Sequence, residues 1–296
     1  MPELSHATIC EVGPRDGLQN ESNFVSTEDK VKLIDLLSAT GLRYIEAASF
    51  VSPKWVPQMA DGADVLARIK RKKGVAYVGL APNLKGYEDA LNAKADEVAV
   101  FASASETFSR RNINCSIEGS LARYELVCRK AARDGVPVRG YVSCVVTCPY
   151  EGPVAPDAVC RVAAAFIRMG CREVSLGDTI GMATPDHINT LLNAILDVLP
   201  AEKIAGHYHD TSGRALDCIR ASLDRGVRVF DSSVGGAGGC PFAPGSKGNV
   251  ATHEVVEMLE AEGYTTGIDS QALQKATIFM ERTLGSEVQK PDIDAG

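Results

Sequence analysis

The 296-residue chain lacks an excess of positive charge: 31 Lys and Arg face 38 Asp and Glu, a formal net charge of -7. A nucleic-acid footprint needs a basic face, so no nucleic-acid partner is expected. Long apolar runs are also missing; none approaches the roughly 18 residues a membrane helix needs. The first residues, MPELSHATICEVG, carry neither a basic stretch followed by an apolar one nor an Arg-rich transit pattern. A cytoplasmic protein with no membrane partner is therefore expected. No G-x-G-x-x-G opens the first helical stretch, which weakens a dinucleotide-binding reading. Trp55 is the only tryptophan, and histidine is scarce at 5 residues. The 9 cysteines are scattered and odd in number. Cys144 and Cys148 have no second pair at zinc-ligand spacing, so a reducing compartment fits better than a disulfide framework.

Apolar residues make up 45% of the chain and charged residues 23%, ordinary for a globular protein with a large core. Short β-rich runs occupy residues 7–12, 44–48, 75–81, 97–101, 137–146, 173–176, 204–209 and 227–233. Between them, residues 30–40, 155–169, 185–199 and 213–225 show the spacing of amphipathic helices. Ser26-Thr27-Glu28-Asp29 reads as a helix start, and Gly41, Gly135, Gly170 and Gly226 follow helical runs. Strand–helix alternation predicts a parallel sheet, and eight repeats is the number that closes a TIM barrel. The expected fold is thus α/β, a (β/α)8 TIM barrel, with an open doubly wound sheet as the alternative. Residues 269–284 read as an additional C-terminal helix. We expect one domain over 1–296: barrel at about 5–265, then helix and tail at 266–296, the last residues fraying.

A barrel places its chemistry where strands end, on the C-terminal face. The notable polar residues fall there. His207 and His209 flank Tyr208 at the end of the seventh run; alternation points both imidazoles the same way, close enough to share one ion. Asp210 beside them is placed to orient a ring. Arg15-Asp16 follows the first run inside EVGPRDGLQNE. Asp16 offers a hard oxygen to a divalent cation, and Arg15 a forked donor for an oxyanion. Alternatively the two form a surface ion pair in a turn that Gly13, Pro14 and Gly17 favour. Asn249 is either a neutral oxygen ligand or a helix N-cap. Cys240 stands in the glycine-rich GGAGGCPFAPGSKGN: a mobile lid, a phosphate-binding loop, or the site of a buried inert thiol. Glu46, Ser175 and Asp178, at the ends of the second and sixth runs, are candidate supporting residues; Asp178 is equally placed to cap the next helix.

Taken in order, EVGPRDGLQNE, FVSPKWVPQM, PNLKG, RRNINCSIEGS, RGYVSC, CPYEG, SLGDTIG, the HxHDT at His207, and GGCPFA followed by GN at Asn249 span most of the chain. This set resembles the 3-hydroxy-3-methylglutaryl-CoA lyases of the DRE-TIM metallolyase superfamily. The resemblance implies a divalent metal, Mg²⁺ or Mn²⁺, on Asp16, His207, His209 and Asn249. It implies Arg15, Asp16, His207 and Cys240 as catalytic, with Glu46 and Asp178 supporting. An acyl-CoA thioester substrate and a homodimer or higher homo-oligomer are expected. Tyr208, Ser212 and His253 depart from the family pattern, where a smaller residue, an aromatic and an acid are expected. These changes bear on acyl-chain preference rather than metal binding. The tail has no cysteine, so thiol regulation there is not expected.

The implied reaction is a retro-Claisen cleavage to acetyl-CoA and acetoacetate, with Asp16 or His207 as base and His207 or Cys240 as proton donor to the enolate. Rivals are a condensing enzyme of the isopropylmalate or homocitrate synthase type, a zinc amidohydrolase, and a non-catalytic binding barrel. The first carries extra C-terminal domains that this length does not hold. The second needs an early HxH and further histidines. The third has no need of a complete ligand set.

Overall fold

A computed structural model describes residues 5–21, 23–239 and 248–285. The strands are β1 (Thr8–Glu11), β2 (Tyr44–Ser49), β3 (Ala76–Leu80), β4 (Glu97–Ser103), β5 (Val138–Ser143), β6 (Thr147–Cys148), β7 (Gly152–Pro153), β8 (Glu173–Asp178), β9 (Ile204–Tyr208) and β10 (Val229–Ser232). Eight of them close a barrel in the order β1-β10-β9-β8-β5-β4-β3-β2, every neighbour parallel. β6 and β7 form a separate antiparallel pair after β5. The expected TIM barrel is present, and the open sheet is excluded by the β1–β10 ladder that joins Thr8 to Val229.

The helices are α1 (Thr27–Ser38), α2 (Gly62–Arg68), α3 (Leu84–Asn92), α4 (Glu106–Ile113), α5 (Ile117–Asp134), α6 (Pro156–Met169), α7 (Pro185–Leu196), α8 (Ala215–Asp224), α9 (Thr252–Ala261) and α10 (Ser270–Leu284). Local chemistry sets their ends. The Ser26 hydroxyl accepts from Asp29 N and starts α1. Thr184 and His187 form a reciprocal cap on α7. Gly135 and Gly170, in the left-handed region, end α5 and α6. Each helix turns an apolar stripe to the barrel, burying for example Val159, Val162, Ala163 and Phe166 of α6. The expected extra helix is α10. Its N-cap Asp269 accepts from Gln271 N and Ala272 N, and it packs on α1 through Leu273, Ala276 and Met280.

Several boundaries differ from the sequence reading. The fifth run extends to 146, but Cys144 at φ 60 breaks the strand, and Val145 N turns to Gly177 O. β9 ends at Tyr208; His209 lies beyond it and instead bridges Asn249 antiparallel. Glu46 and Ser175 are interior to β2 and β8 rather than at their ends, Glu46 beside a bulge at Ala48. No helix among the described residues is long and apolar enough to cross a membrane. The fraying expected of the last residues falls outside the described residues.

Candidate active site

β1 ends in a single wide turn, residues 13–17, where the Val12 carbonyl accepts from the amides of Arg15, Asp16 and Gly17. Pro14 in its first turn gives up no needed N–H. The turn swings Arg15 inward, so this is no surface ion pair: Arg15 is buried at 6% exposure. Its Nη1 donates to Asp16 Oδ1 at 2.6 Å. Nη2 donates to Glu46 Oε2 at 2.9 Å, and Nε lies 2.9 Å from Glu46 Oε1. Both Glu46 oxygens thus face the Arg15 guanidinium.

Asp16, His207 and His209 each offer a ligand atom within 4.8 Å of the others. His207 Nε2 is 4.0 Å from Asp16 Oδ2, and the two imidazole centroids are 5.3 Å apart. Asn249 joins them: its Nδ2 donates to Asp16 Oδ2 at 2.9 Å and to Ala237 O at 3.3 Å. It does not cap α9, whose N-cap is Ala251. Gly238 lets it approach; a Cβ there, at φ +103, would stand 2.7 Å from Asn249 Nδ2.

Burial alone would raise the Asp16 carboxyl, but Arg15, then His207 and His209, hold it down at about 2. Burial and the neighbouring His207 push His209 down to about 4, so it is neutral at pH 7. Burial also acts against a proton on His207, yet the Asp231 carboxylate outweighs it and raises His207. His207 Nδ1 lies 3.1 Å from Asp231 Oδ2, which places a ring proton on Nδ1, and Nε2 is the nitrogen turned to Asp16. His209 Nδ1 is buried with no hydrogen-bond partner among the described residues.

Two candidate supports, Asp178 and Asp210, each hold a backbone amide. Asp178 ends β8, but its Oδ2 accepts from Ala183 N at 2.8 Å and shapes the following turn; Thr184 caps the helix. Asp210 Oδ1 accepts from Ala215 N at the start of α8. Tyr208 is buried and bonds the Ser222 hydroxyl of α8 at 2.8 Å. Cys240 lies outside the described residues.

Four positions that contact the candidate site or its loops escaped the sequence reading: Glu11, Arg139, Tyr141 and Asp231. Ser175 Oγ donates to Asp231 Oδ2 at 2.7 Å, inside the barrel. Tyr141 donates its hydroxyl to Glu46 Oε2 at 2.8 Å. Glu11 Oε1 accepts from Gly13 N and Val234 N, and Oε2 from the Thr252 hydroxyl, joining the loops after β1 and β10. The available signal was charge within strands: Glu11, Arg139 and Asp231 stand inside β-rich runs, and a buried charge demands a partner.

An eight-stranded parallel barrel with an Asp-His-His cluster and an anchored arginine at its C-terminal mouth defines a TIM-barrel enzyme with a metal-type site. A family model described as HMGL-like matches residues 6–279. The chain belongs to the HMGL-like family. It is 53% identical over 286 residues, 95% of each chain, to the 3-hydroxy-3-isohexenylglutaryl-CoA/hydroxy-methylglutaryl-CoA lyase of Pseudomonas aeruginosa. The crystal structure of the HMG-CoA lyase from Brucella melitensis superposes with TM-score 0.94 at 57% identity, covering 95% of this chain and 99% of that one. An HMG-CoA lyase from Acinetobacter baumannii in complex with coenzyme A and 3-methylmalate superposes with TM-score 0.90 at 35% identity, covering 98% and 97%. The resemblance carried by the sequence motifs holds across both sequence and fold.

Proposed function

We propose that the chain cleaves 3-hydroxy-3-methylglutaryl-CoA, or a close 3-hydroxy-3-alkylglutaryl-CoA, to acetyl-CoA and the corresponding 3-oxo acid. The observation that carries this reading is the cluster of Asp16, His207 and His209, with Arg15 seated beside Asp16. The lyases named above support it at 53% and 57% identity.

The donor set fits a divalent cation. Asp16 is held ionised, His209 is neutral with an unpartnered buried Nδ1, and His207 presents Nε2. Asn249 would complete the set through its amide oxygen, since its nitrogen already serves Asp16. Two imidazoles with oxygens suit Mn²⁺, and with waters Mg²⁺. When bound, such an ion supplies a Lewis acid that lowers the pKa of a tertiary hydroxyl.

The protein's own groups do the rest. Asp16, held at about 2, is a poor base but a good anionic ligand. His207, backed by Asp231 at Nδ1, is the stronger proton acceptor and would take the hydroxyl proton at Nε2, with that nitrogen turned from the ion to the substrate as the carbon–carbon bond breaks. A guanidinium has five N–H donors. One N–H on each of Nη1 and Nη2 of Arg15 meets a carboxylate, and the second on each is proposed for the enolate oxyanion of the departing thioester. His207 or Cys240 then returns a proton to the enolate carbon. Cys240 enters this proposal from its motif alone. Coenzyme A thioesters are the substrate class, and a homodimer or higher homo-oligomer is the proposed working state.

The decisive experiment incubates the protein with Mn²⁺ or Mg²⁺ and a panel of 3-hydroxy-3-alkylglutaryl-CoA thioesters, including the methyl and isohexenyl forms, and follows acetyl-CoA release. Metal-dependent release is expected, abolished by EDTA. Full activity in a metal-free preparation, or none with any member of the panel, would overturn the proposal.

A further inference from the structure

Beneath the mouth, one buried guanidinium touches both halves of the site. Arg139 of β5 is 2% exposed. Its Nη2 lies 2.7 Å from Asp231 Oδ1, and Asp231 Oδ2 holds His207 Nδ1 at 3.1 Å and the Ser175 hydroxyl at 2.7 Å. Its Nη1 donates to the Tyr141 hydroxyl at 2.8 Å, which donates in turn to Glu46 Oε2 at 2.8 Å. Glu46 seats Arg15. The third direction of the fork, Nε, is fixed on Glu173 Oε1 at 2.6 Å, and Glu173 is paired with Arg172 on the other side.

We infer that Arg139 is a positioning residue with two arms: Asp231 sets the His207 ring for the metal, and Tyr141–Glu46 sets Arg15 for the oxyanion. This rests on the roles given to His207 and Arg15 under the proposed function. The physical case begins with alternation: Arg139 and Tyr141 are two apart on β5 and share the inward face. The groups in the frame are planar or ring-shaped, so each contact fixes a direction as well as a distance. Asp231 and Glu46 are carboxylates in a dry interior, each at 3% exposure or less, and an unpaired charge there is strongly unfavourable. Arg139 meets Asp231 directly and reaches Glu46 through one hydroxyl. The imidazole and the catalytic guanidinium are thereby spaced by a rigid frame rooted in the barrel floor rather than by the loops that carry Arg15 and His209.

The two arms are separable by experiment. Changes at Arg139 itself would strand Glu173 and Asp231 and risk the fold, so the test uses Asp231→Asn and Tyr141→Phe. Mn²⁺ affinity of the full-length protein without substrate is read by electron paramagnetic resonance. kcat and KM for the thioester are then measured at saturating Mn²⁺, and melting checks the fold. Asp231→Asn should weaken Mn²⁺ binding by roughly 10- to 100-fold, the usual consequence of losing the group that orients a ligating imidazole. Tyr141→Phe should leave Mn²⁺ affinity within about two-fold and KM little changed, while kcat falls by roughly 10-fold or more, since Arg15 acts only as charge develops. A loosened core would move both readouts together in both variants. Unchanged Mn²⁺ affinity in Asp231→Asn, equal losses of affinity in the two variants, or wild-type kcat in Tyr141→Phe would each overturn the inference. Wild-type protein that binds Mn²⁺ but releases no acetyl-CoA would sink the lyase reading instead, and the Mn²⁺ comparison would still decide the Asp231 arm.

Discussion

Replacing Glu11 by glutamine removes a charge from a position with no water around it. Glu11 is fully buried, and burial raises its carboxyl from 4.5 to about 7 despite the Thr252 hydroxyl and the Val234 and Gly13 amides. Between those two values the folded chain keeps a proton that the unfolded chain has released. Stability from this group is therefore complete below pH 4.5 and is lost as pH rises to about 7. At about 1.4 kcal/mol per pH unit, the loss reaches about 3 kcal/mol and then levels off. Glutamine keeps an oxygen toward Gly13 N and Val234 N, places its amide nitrogen against the Thr252 hydroxyl, and never ionises. Glu11→Gln should melt close to wild type at pH 5. At pH 8 it should melt higher by several degrees, given roughly 2–4 °C per kcal/mol for chains of comparable size. Thermal melts of both proteins across pH 4.5–8.5, taken as a difference, cancel every other titrating group. A difference that is flat with pH, or one that favours wild type more as pH rises, would refute the reasoning.

Three further outcomes are expected. His209→Ala removes a buried ligand atom and should lower Mn²⁺ affinity by roughly 10-fold or more, read by titration calorimetry; affinity equal to wild type would remove His209 from the metal site. Arg15→Lys keeps the charge but loses the planar fork that spans both Glu46 oxygens and Asp16, so kcat should fall by roughly 10²-fold with a smaller change in KM; a wild-type kcat would end its assignment to the oxyanion. Cys240→Ala should keep fold and metal and lose most turnover, and in the parent protein an acyl-CoA analogue should slow alkylation of that thiol. Normal turnover in Cys240→Ala would make His207 the proton donor.

The sequence alone determined the architecture and the residue types of the candidate site. Eight alternating runs define the barrel because apolar periodicity is a local property, and residues at strand ends share a face whatever the details of packing. His207 and His209 were readable as a pair because a strand repeats every two residues, and Asp16 because it follows the first strand. Exact strand ends were not readable: His209 leaves β9 to bridge Asn249, a partner 40 residues away in sequence. The turn that buries Arg15 also reads as an ordinary surface turn in sequence, and only the seat offered by Glu46 of β2 draws it inward. That Asp178 would hold the turn after β8 through Ala183 N was likewise not readable. Asp231 reaches His207 from the adjoining strand, and Arg139 and Tyr141 of β5 reach Asp231 of β10 and Glu46 of β2 across the barrel interior, from strands that are not neighbours in the sheet. Which strand faces which across that interior is fixed by closure and register, and no local pattern encodes it. Residue types and their face belong to the sequence; the partner each buried charge finds was decided by the tertiary structure, because a charge in a dry interior must meet whatever group the closed barrel brings within reach.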